Sequence, residues 1–180
     1  MDGQTKLHRF RYHFGRGYVV PGDRVLDLGC GQGYGTEMIA EVAGKVIGID
    51  IDEIQILANQ NRGGRENIEY IHGDLENIEL PKADVSVQFE NLEHLYDPEK
   101  FVNKLKENIK KFIIISVPFG CEKLIEVNGD VQADLDSTHH YTFDRPDDVD
   151  KLFIDKDWDK YYSLIQGVTY IAVYYNKNEV

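Results

Sequence analysis

Apolar runs and helix-spaced apolar positions alternate along residues 24–111. Arg24-Val25-Leu26-Asp27-Leu28 is a short apolar run that ends in glycines. Residues 34–43 then carry Tyr34, Met38, Ile39 and Val42 at the three- and four-residue spacing of one helical face. Residues 45–51 are rich in β-branched side chains and predict a second strand. Asp52 is a suitable N-cap for a helix that runs to about Arg62, where Gly63-Gly64 stops it. Residues 68–72 and 83–89 predict a third and a fourth strand. Asp97-Pro98 is a cap followed by proline at the first helical position, and Phe101, Val102, Leu105 and Ile109 are expected on the inner face of the helix that follows. The near-continuous apolar run at residues 111–117 predicts a fifth strand, ending at Pro118.

Strands of this kind alternating with helices imply a parallel sheet covered on both faces. The tail differs. Two strand-like runs, 159–166 and 169–177, are separated only by Gly167 and Val168, and so short a join requires antiparallel pairing. A helix over about 144–153 is expected to lead into that hairpin. Between 119 and 143 the pattern lapses, apart from a small hairpin suggested around Asn128-Gly129. It follows the carboxyl end of a parallel strand, where open α/β sheets bind ligands, and is expected to act as a lid. With no repeat or linker, residues 1–180 read as one domain, residues 1–22 forming an N-terminal cap segment.

Charge narrows the partners. The net charge of −12 speaks against nucleic acid, whose binding rests on lysine and arginine neutralising phosphates. The clusters around Lys104–Lys111 and His8–Arg16 are short, and the first reads as a solvated helix face. No apolar stretch approaches the roughly 20 residues of a membrane span. The polar start of the chain lacks the pattern of a secretory signal. Cys30 and Cys121 form no spacing motif and read as free thiols. A cytoplasmic protein with a small-molecule partner is the expectation; the sequence carries no signal of oligomeric state.

The strongest chemical signal is Asp27-Leu28-Gly29-Cys30-Gly31-Gln32-Gly33 with Gly35. Glycines at alternate positions between a strand and a helix allow a sharp turn and a close ligand approach. The dinucleotide spacing G-x-G-x-x-G is not met from Gly29, which reaches Tyr34, or from Gly31, which reaches Thr36. No Walker lysine follows. Asp27 instead precedes the loop, suiting a cofactor with a cationic amino group. Asp50, about 20 residues on, stands where an acid bonds ribose hydroxyls. Asp74 ends the third strand and is placed to meet an adenine amino group. S-adenosylmethionine (SAM) has a sulfonium and an amine and carries no phosphate, so it is the expected cofactor.

These residues resemble the class I SAM-dependent methyltransferases. The likeness is good over residues 24–118 and loose elsewhere. Asp27, Gly29, Gly31 and Gly33 align with the family's D-x-G-x-G-x-G loop, which includes Cys30. The resemblance implies that Asp50 binds ribose, that Ile51 packs on adenine, and that Asp74 and Leu75 form the adenine-side pair. Glu90-Asn91-Leu92-Glu93-His94-Leu95 with Asp97-Pro98 resembles the E-x-L-E-H-L-x-D-P segment of the type 11 subgroup, where the backbone around Glu90 and Asn91 meets the methionine end. The fold implied is a Rossmann-like, seven-stranded, mostly parallel sheet with an antiparallel C-terminal hairpin and helices on both faces. No N-P-P-Y-like tetrapeptide follows the fourth strand, so amino methylation of nucleic-acid bases is not supported.

Histidine is the first candidate for a base near neutral pH. His94 follows the fourth strand, and His139 and His140 come after the small hairpin of the expected lid; these are the candidate catalytic residues. Asp136, His139 and His140 match no standard metal spacing, so no metal is expected. His8 and His13 read as surface residues. Tyr161, Tyr162, Tyr170, Tyr174 and Tyr175 read as sheet packing. The function expected is methyl transfer from SAM to a small molecule, with O-methylation favoured. The alternative is a catalytically degenerate SAM-binding or scaffold protein of the same fold, favoured by the short acceptor region. A nucleotide-dependent oxidoreductase is disfavoured by the loop spacing.

Overall fold

The computed structural model describes residues 3–120, 124–127, 130–133 and 139–180. Helix α1 (Gly3–Arg16) precedes β1 (Arg24–Leu28), α2 (Tyr34–Ala40), β2 (Lys45–Asp50), α3 (Glu53–Arg62) and β3 (Ile68–His72). Then come β4 (Ala83–Phe89), a 3-10 turn at Leu92–His94, α4 (Pro98–Asn108) and β5 (Ile109–Pro118). The short strands β6 (Leu124–Val127) and β7 (Asp130–Ala133), then α5 (Pro146–Phe153), β8 (Trp158–Gln166) and β9 (Thr169–Asn176), complete the chain. The main sheet has seven strands in the order β3-β2-β1-β4-β5-β9-β8. Strands β1 to β5 are parallel, β9 is antiparallel to both β5 and β8, and β6 pairs with β7 in a separate antiparallel ladder. The fold is the Rossmann-like one expected.

The pleat sorts each strand's side chains onto two cores. Leu26, Leu28, Ile47, Ile49, Ile113 and Ile115 pack with Phe101, Val102 and Leu105 of α4 and with Val149 and Phe153 of α5. Val25, Val46, Val85, Val87 and Ile114 face the other way, onto Tyr12 of α1 and onto Met38 and Ile39 of α2. Both faces are covered, which is why the strands read as unbroken apolar runs. No helix separates β3 from β4; Leu75 and Leu80 are buried in the first core there instead.

The caps act as their chemistry predicts. Asp52 accepts from the backbone N–H groups of Ile54 and Gln55 at 2.9 and 3.1 Å. Asp97 accepts from Lys100 N at 2.9 Å, ahead of Pro98. One boundary differs from expectation. Ile109 is the first residue of β5 and does not belong to the α4 face. It follows Asn108 with no loop and takes an extended conformation, φ −104° and ψ 132°. A β-branched side chain favours that conformation.

Two further expectations change. Helix α1 forms where only a polar cap segment was read. Tyr161 and Tyr162 stay exposed, whereas Tyr170 and Tyr174 are buried and donate to Asp150 at 2.8 and 2.7 Å, tying α5 to the hairpin. Cys121, Asp136 and much of the 119–143 segment lie outside the described residues. Among the described residues, no helix is long and apolar enough to cross a membrane.

Candidate functional site

Parallel strands deliver their carboxyl ends to one edge of the sheet, and the loops leaving β1, β2, β3 and β4 meet there. Between them lies a cavity of about 680 Å³, the size range of small-molecule sites. Gly29, Asp50, Ile51, Asp74, Leu75 and Asn91 line one part of it. His94, Leu95, Tyr96 and His140 line another.

Asp50 is the organiser of the first part. Its Oδ2 accepts from Gly31 N at 2.7 Å and its Oδ1 from Asp52 N at 2.9 Å. The carboxylate therefore ties the crest of the glycine loop to the start of α3. A carboxylate has about four acceptor positions, so two remain for a diol. Ile51 beside it is 68% exposed, an apolar side chain presented to a ligand-sized space. Asp74 is half-buried and accepts from Glu76 N at 2.9 Å and from the Asn77 side chain, which folds the loop that buries Leu75.

The alternate glycines serve different purposes. Gly31 has φ +47° and open space where a Cβ would stand. At Gly29 an added Cβ would meet Asn91 Oδ1 at 2.8 Å, and at Gly33 it would meet Tyr70 Oη at 2.6 Å and Asn59 at 3.0 Å. At Gly35 it would lie 2.0 Å from the Tyr12 ring. The sequence offers all four to the ligand, but Gly33 and Gly35 make room for the chain's own side chains.

Several candidates sit away from the cavity. Asp27 is fully buried, accepting from Tyr12 Oη at 3.0 Å and Thr36 Oγ1 at 2.6 Å. Cys30 points beneath the loop, its Sγ 3.0 Å from where a Cβ on Gly48 would be, and burial pushes its thiol up. It is buried and packs beneath the glycine loop. Glu90 has φ +53°, uncommon for a residue with a side chain. Ser116 Oγ donates to its carboxylate at 2.8 Å, and Arg11 pairs with it at 3.1 Å. Arg11 also donates to Gln166 and Thr169, both at 3.1 Å, so one buried guanidinium joins α1, the end of β4 and the tail hairpin.

His8 is not the surface residue expected. It is half-buried among the rings of Tyr12, Tyr34 and Phe89, it hydrogen-bonds Tyr34 Oη, and burial with the nearby Arg11 charge lowers its pKa. His13 is exposed, and His72 is an exposed residue of β3. His140 stacks on Tyr96 with centroids 3.9 Å apart. His139 lies against His94, 4.9 Å between ring centroids. Hydrophobic periodicity could not find Arg11 or Tyr12; the spacing of His8, Arg11, Tyr12 and Gly15 on one helix face is the signal that would have.

Burial raises the pKa of Asp27 from 3.8 to about 6, against the two hydrogen bonds that favour the charged form. The folded state therefore takes up a proton that the unfolded state releases. The stability this gives is complete below about pH 4 and is lost as pH rises through about 6. The shift corresponds to about 3 kcal/mol. Asp27→Asn is expected to lose this dependence. Urea unfolding at pH 4 and pH 7 checks it: the wild type should lose up to about 3 kcal/mol more than the variant between those values. Equal losses would show that Asp27 titrates normally.

Known proteins supply an independent line. A family model described as a methyltransferase domain matches residues 26–111. A probable SAM-dependent methyltransferase of Mycolicibacterium smegmatis is 45% identical over 85 residues, 46% of this chain and 32% of that protein. The mitochondrial ubiquinone biosynthesis O-methyltransferase of Schizosaccharomyces pombe is 31% identical over 116 residues, 61% of this chain and 40% of that protein. The chain thus spans well under half the length of these curated relatives. Among solved structures, magnesium protoporphyrin IX methyltransferase from Synechocystis PCC 6803, with bound S-adenosylhomocysteine, superposes with a TM-score of 0.75 at 18% identity. That match covers 97% of this chain and 83% of the other, and it concerns the fold. In its matched domain, strand order and glycine loop, the chain is similar to the class I SAM-dependent methyltransferases.

Proposed function

We propose that this chain transfers the methyl group of SAM to a small-molecule acceptor in the cytoplasm, with oxygen as the favoured acceptor atom. The observation that carries the reading is the single cavity lined both by Gly29, Asp50, Ile51, Leu75 and Asn91 and by His94 and His140.

The residues fit the cofactor. Asn91 Nδ2 is buried with no hydrogen-bond partner among the described residues, and its side chain abuts Gly29. A buried donor of that kind is costly unless a ligand accepts from it, and a carboxylate at the methionine end would. Asp50 would take the ribose hydroxyls, with Ile51 and Leu75 on the adenine and Asp74 at its edge. Bound there, SAM supplies an activated methyl sulfonium, so the protein's task is alignment and exclusion of water. His94 and His140 reach the cavity from the acceptor side, and a neutral imidazole there would take the acceptor's proton. Asp27 would meet the amine only after Tyr12 moves aside. Oxygen as the acceptor atom draws support from the ubiquinone biosynthesis O-methyltransferase relative.

A degenerate binding protein shares the cofactor half of this site, so activity decides between the two. Incubation with SAM carrying a labelled methyl group and a metabolite extract is expected to yield a labelled small molecule. SAM and S-adenosylhomocysteine are expected to raise the melting temperature, and NAD to leave it unchanged. Stabilisation by NAD alone would overturn the cofactor reading. Binding of SAM with no labelled product from any extract would favour the scaffold role.

A further inference from the structure

The acceptor side of the cavity holds a cluster that the cofactor does not use. Glu93 and His94 are neighbours on the 3-10 turn after β4, and His139 comes from the segment that follows the 119–138 stretch. One ligand atom from each of the three lies within 4.8 Å of the others. The geometry points to a divalent metal site built from Glu93, His94 and His139, which holds an acceptor hydroxyl beside the cofactor pocket. Its use in methyl transfer rests on the function proposed above; its existence does not.

Two imidazoles and one carboxylate are a donor set suited to zinc, cobalt and related borderline cations. Ligand atoms around one such ion stand roughly 3.4 Å apart, for bonds of about 2.1 Å in tetrahedral geometry. The cluster therefore needs only small side-chain rotations to close. Three protein ligands leave a coordination position open, the arrangement of reactive sites as opposed to purely structural ones. His94 lines the cavity, so an ion held by the cluster would sit beside it.

The backbone holds the pieces in place. Glu93 O accepts from His140 N at 2.9 Å and from Tyr141 N at 3.0 Å. This double contact clamps the segment bearing His139 onto the turn bearing the other two ligands. Glu93 is only 2% exposed. An ionised carboxylate at that depth would be stabilised by a cation bound to it. Placed there, a cation would polarise a bound hydroxyl and lower its pKa, and with the His94 lone pair given to the metal the proton would pass to His140, which also lines the cavity.

The test is a titration of the metal-stripped full chain with Co²⁺, followed by visible absorption, with S-adenosylhomocysteine binding measured separately by calorimetry. One Co²⁺ per chain is expected, with the intense bands of low coordination, displaced by Zn²⁺. His94→Ala and His139→Ala are each expected to weaken Co²⁺ binding by more than roughly 10-fold, a loss that even an outer-sphere partner can cause. His139 is half-buried, so its variant carries the test should the His94 variant unfold. His140→Ala is expected to keep the metal. No Co²⁺ binding, or binding indifferent to both variants, would overturn the site, as would an equal loss in His140→Ala. Loss of S-adenosylhomocysteine binding in the wild type would instead count against the cofactor reading and leave the metal result standing.

Discussion

Asp50→Ala is expected to weaken SAM and S-adenosylhomocysteine binding on the order of 100-fold or more, while the protein still folds. The carboxylate has two functions at once. It would accept the two ribose hydroxyls, and charge-assisted hydrogen bonds contribute about 1.5–3 kcal/mol each. It also fixes the loop, through Gly31 N at 2.7 Å and Asp52 N at 2.9 Å. With alanine, the crest at Gly31 keeps only the bond from Asn59 Nδ2 to its carbonyl, at 2.7 Å, among the side-chain contacts that hold it. About 3 kcal/mol from the ribose alone is on the order of 100-fold in affinity. The sheet loses nothing, because Asp50 is the last residue of β2 and its neighbour Ile49 stays fully buried. Asp50→Asn keeps the shape but replaces one acceptor oxygen by a donor, so an intermediate loss is expected. Calorimetry on the three proteins checks the order wild type, Asn, Ala. Unchanged affinity in Asp50→Ala would remove ribose from this position.

That prediction was open to the sequence because it depends on topology more than on contacts. Parallel strands end on one edge, so acids at successive strand ends converge whatever the packing. The same logic made the seven-stranded sheet legible: β5 and the tail hairpin announce themselves by apolar runs and by a join too short for a crossover. Ile109 was misread because its position suits both the helical stripe of α4 and the start of β5, and the absence of a loop hides the boundary. Helix α1 was hidden for a different reason. Its inward face is His8, Arg11, Tyr12 and Gly15, of which only Tyr12 counts as apolar, so a search for apolar periodicity passes over it.

Of the site residues read from the sequence, some line the cavity and others lie away from it. Asp50, Ile51, Asp74, Leu75, Asn91, His94 and His140 all reach the cavity. Asp27 and Cys30 do not, since a side chain near the end of β1 or in the loop after it can face the helix layer as readily as the ligand. Glu90 pairs with Arg11, a partner 79 positions earlier in the chain that no local spacing could reveal. Glu93 was read as part of a motif and had no role of its own. Its burial and its clamp on His140 and Tyr141 belong to the tertiary structure alone.

Gly35→Ala is expected to destabilise the fold by about 2 kcal/mol or more, although a helical glycine is ordinarily improved by alanine. In an open helix the change gains about 1 kcal/mol. Here the new Cβ would lie 2.0 to 2.3 Å from the Tyr12 ring carbons. That ring is 2% exposed, donates to Asp27 through its hydroxyl, and stands edge-on to Phe89 with centroids 4.9 Å apart. It has no free direction in which to yield, and overpacking of this kind costs about 1–3 kcal/mol, occasionally more. The strain must lift Tyr12, and α1 with it, off the glycine loop. Asp27 then regains water, so its pKa falls from about 6 back toward 3.8. Two measurements therefore move together: the urea midpoint drops, and the loss of stability between pH 4 and pH 7 assigned to Asp27 flattens. Tyr12→Ala should cost about 3–5 kcal/mol by itself. Combined with Gly35→Ala it should cost less than the sum, because the clash partner is gone. A Gly35→Ala protein as stable as the wild type, with its pH dependence intact, would mean that α1 does not rest on the loop through this ring. Cofactor entry past Tyr12 to Asp27 would then need another explanation.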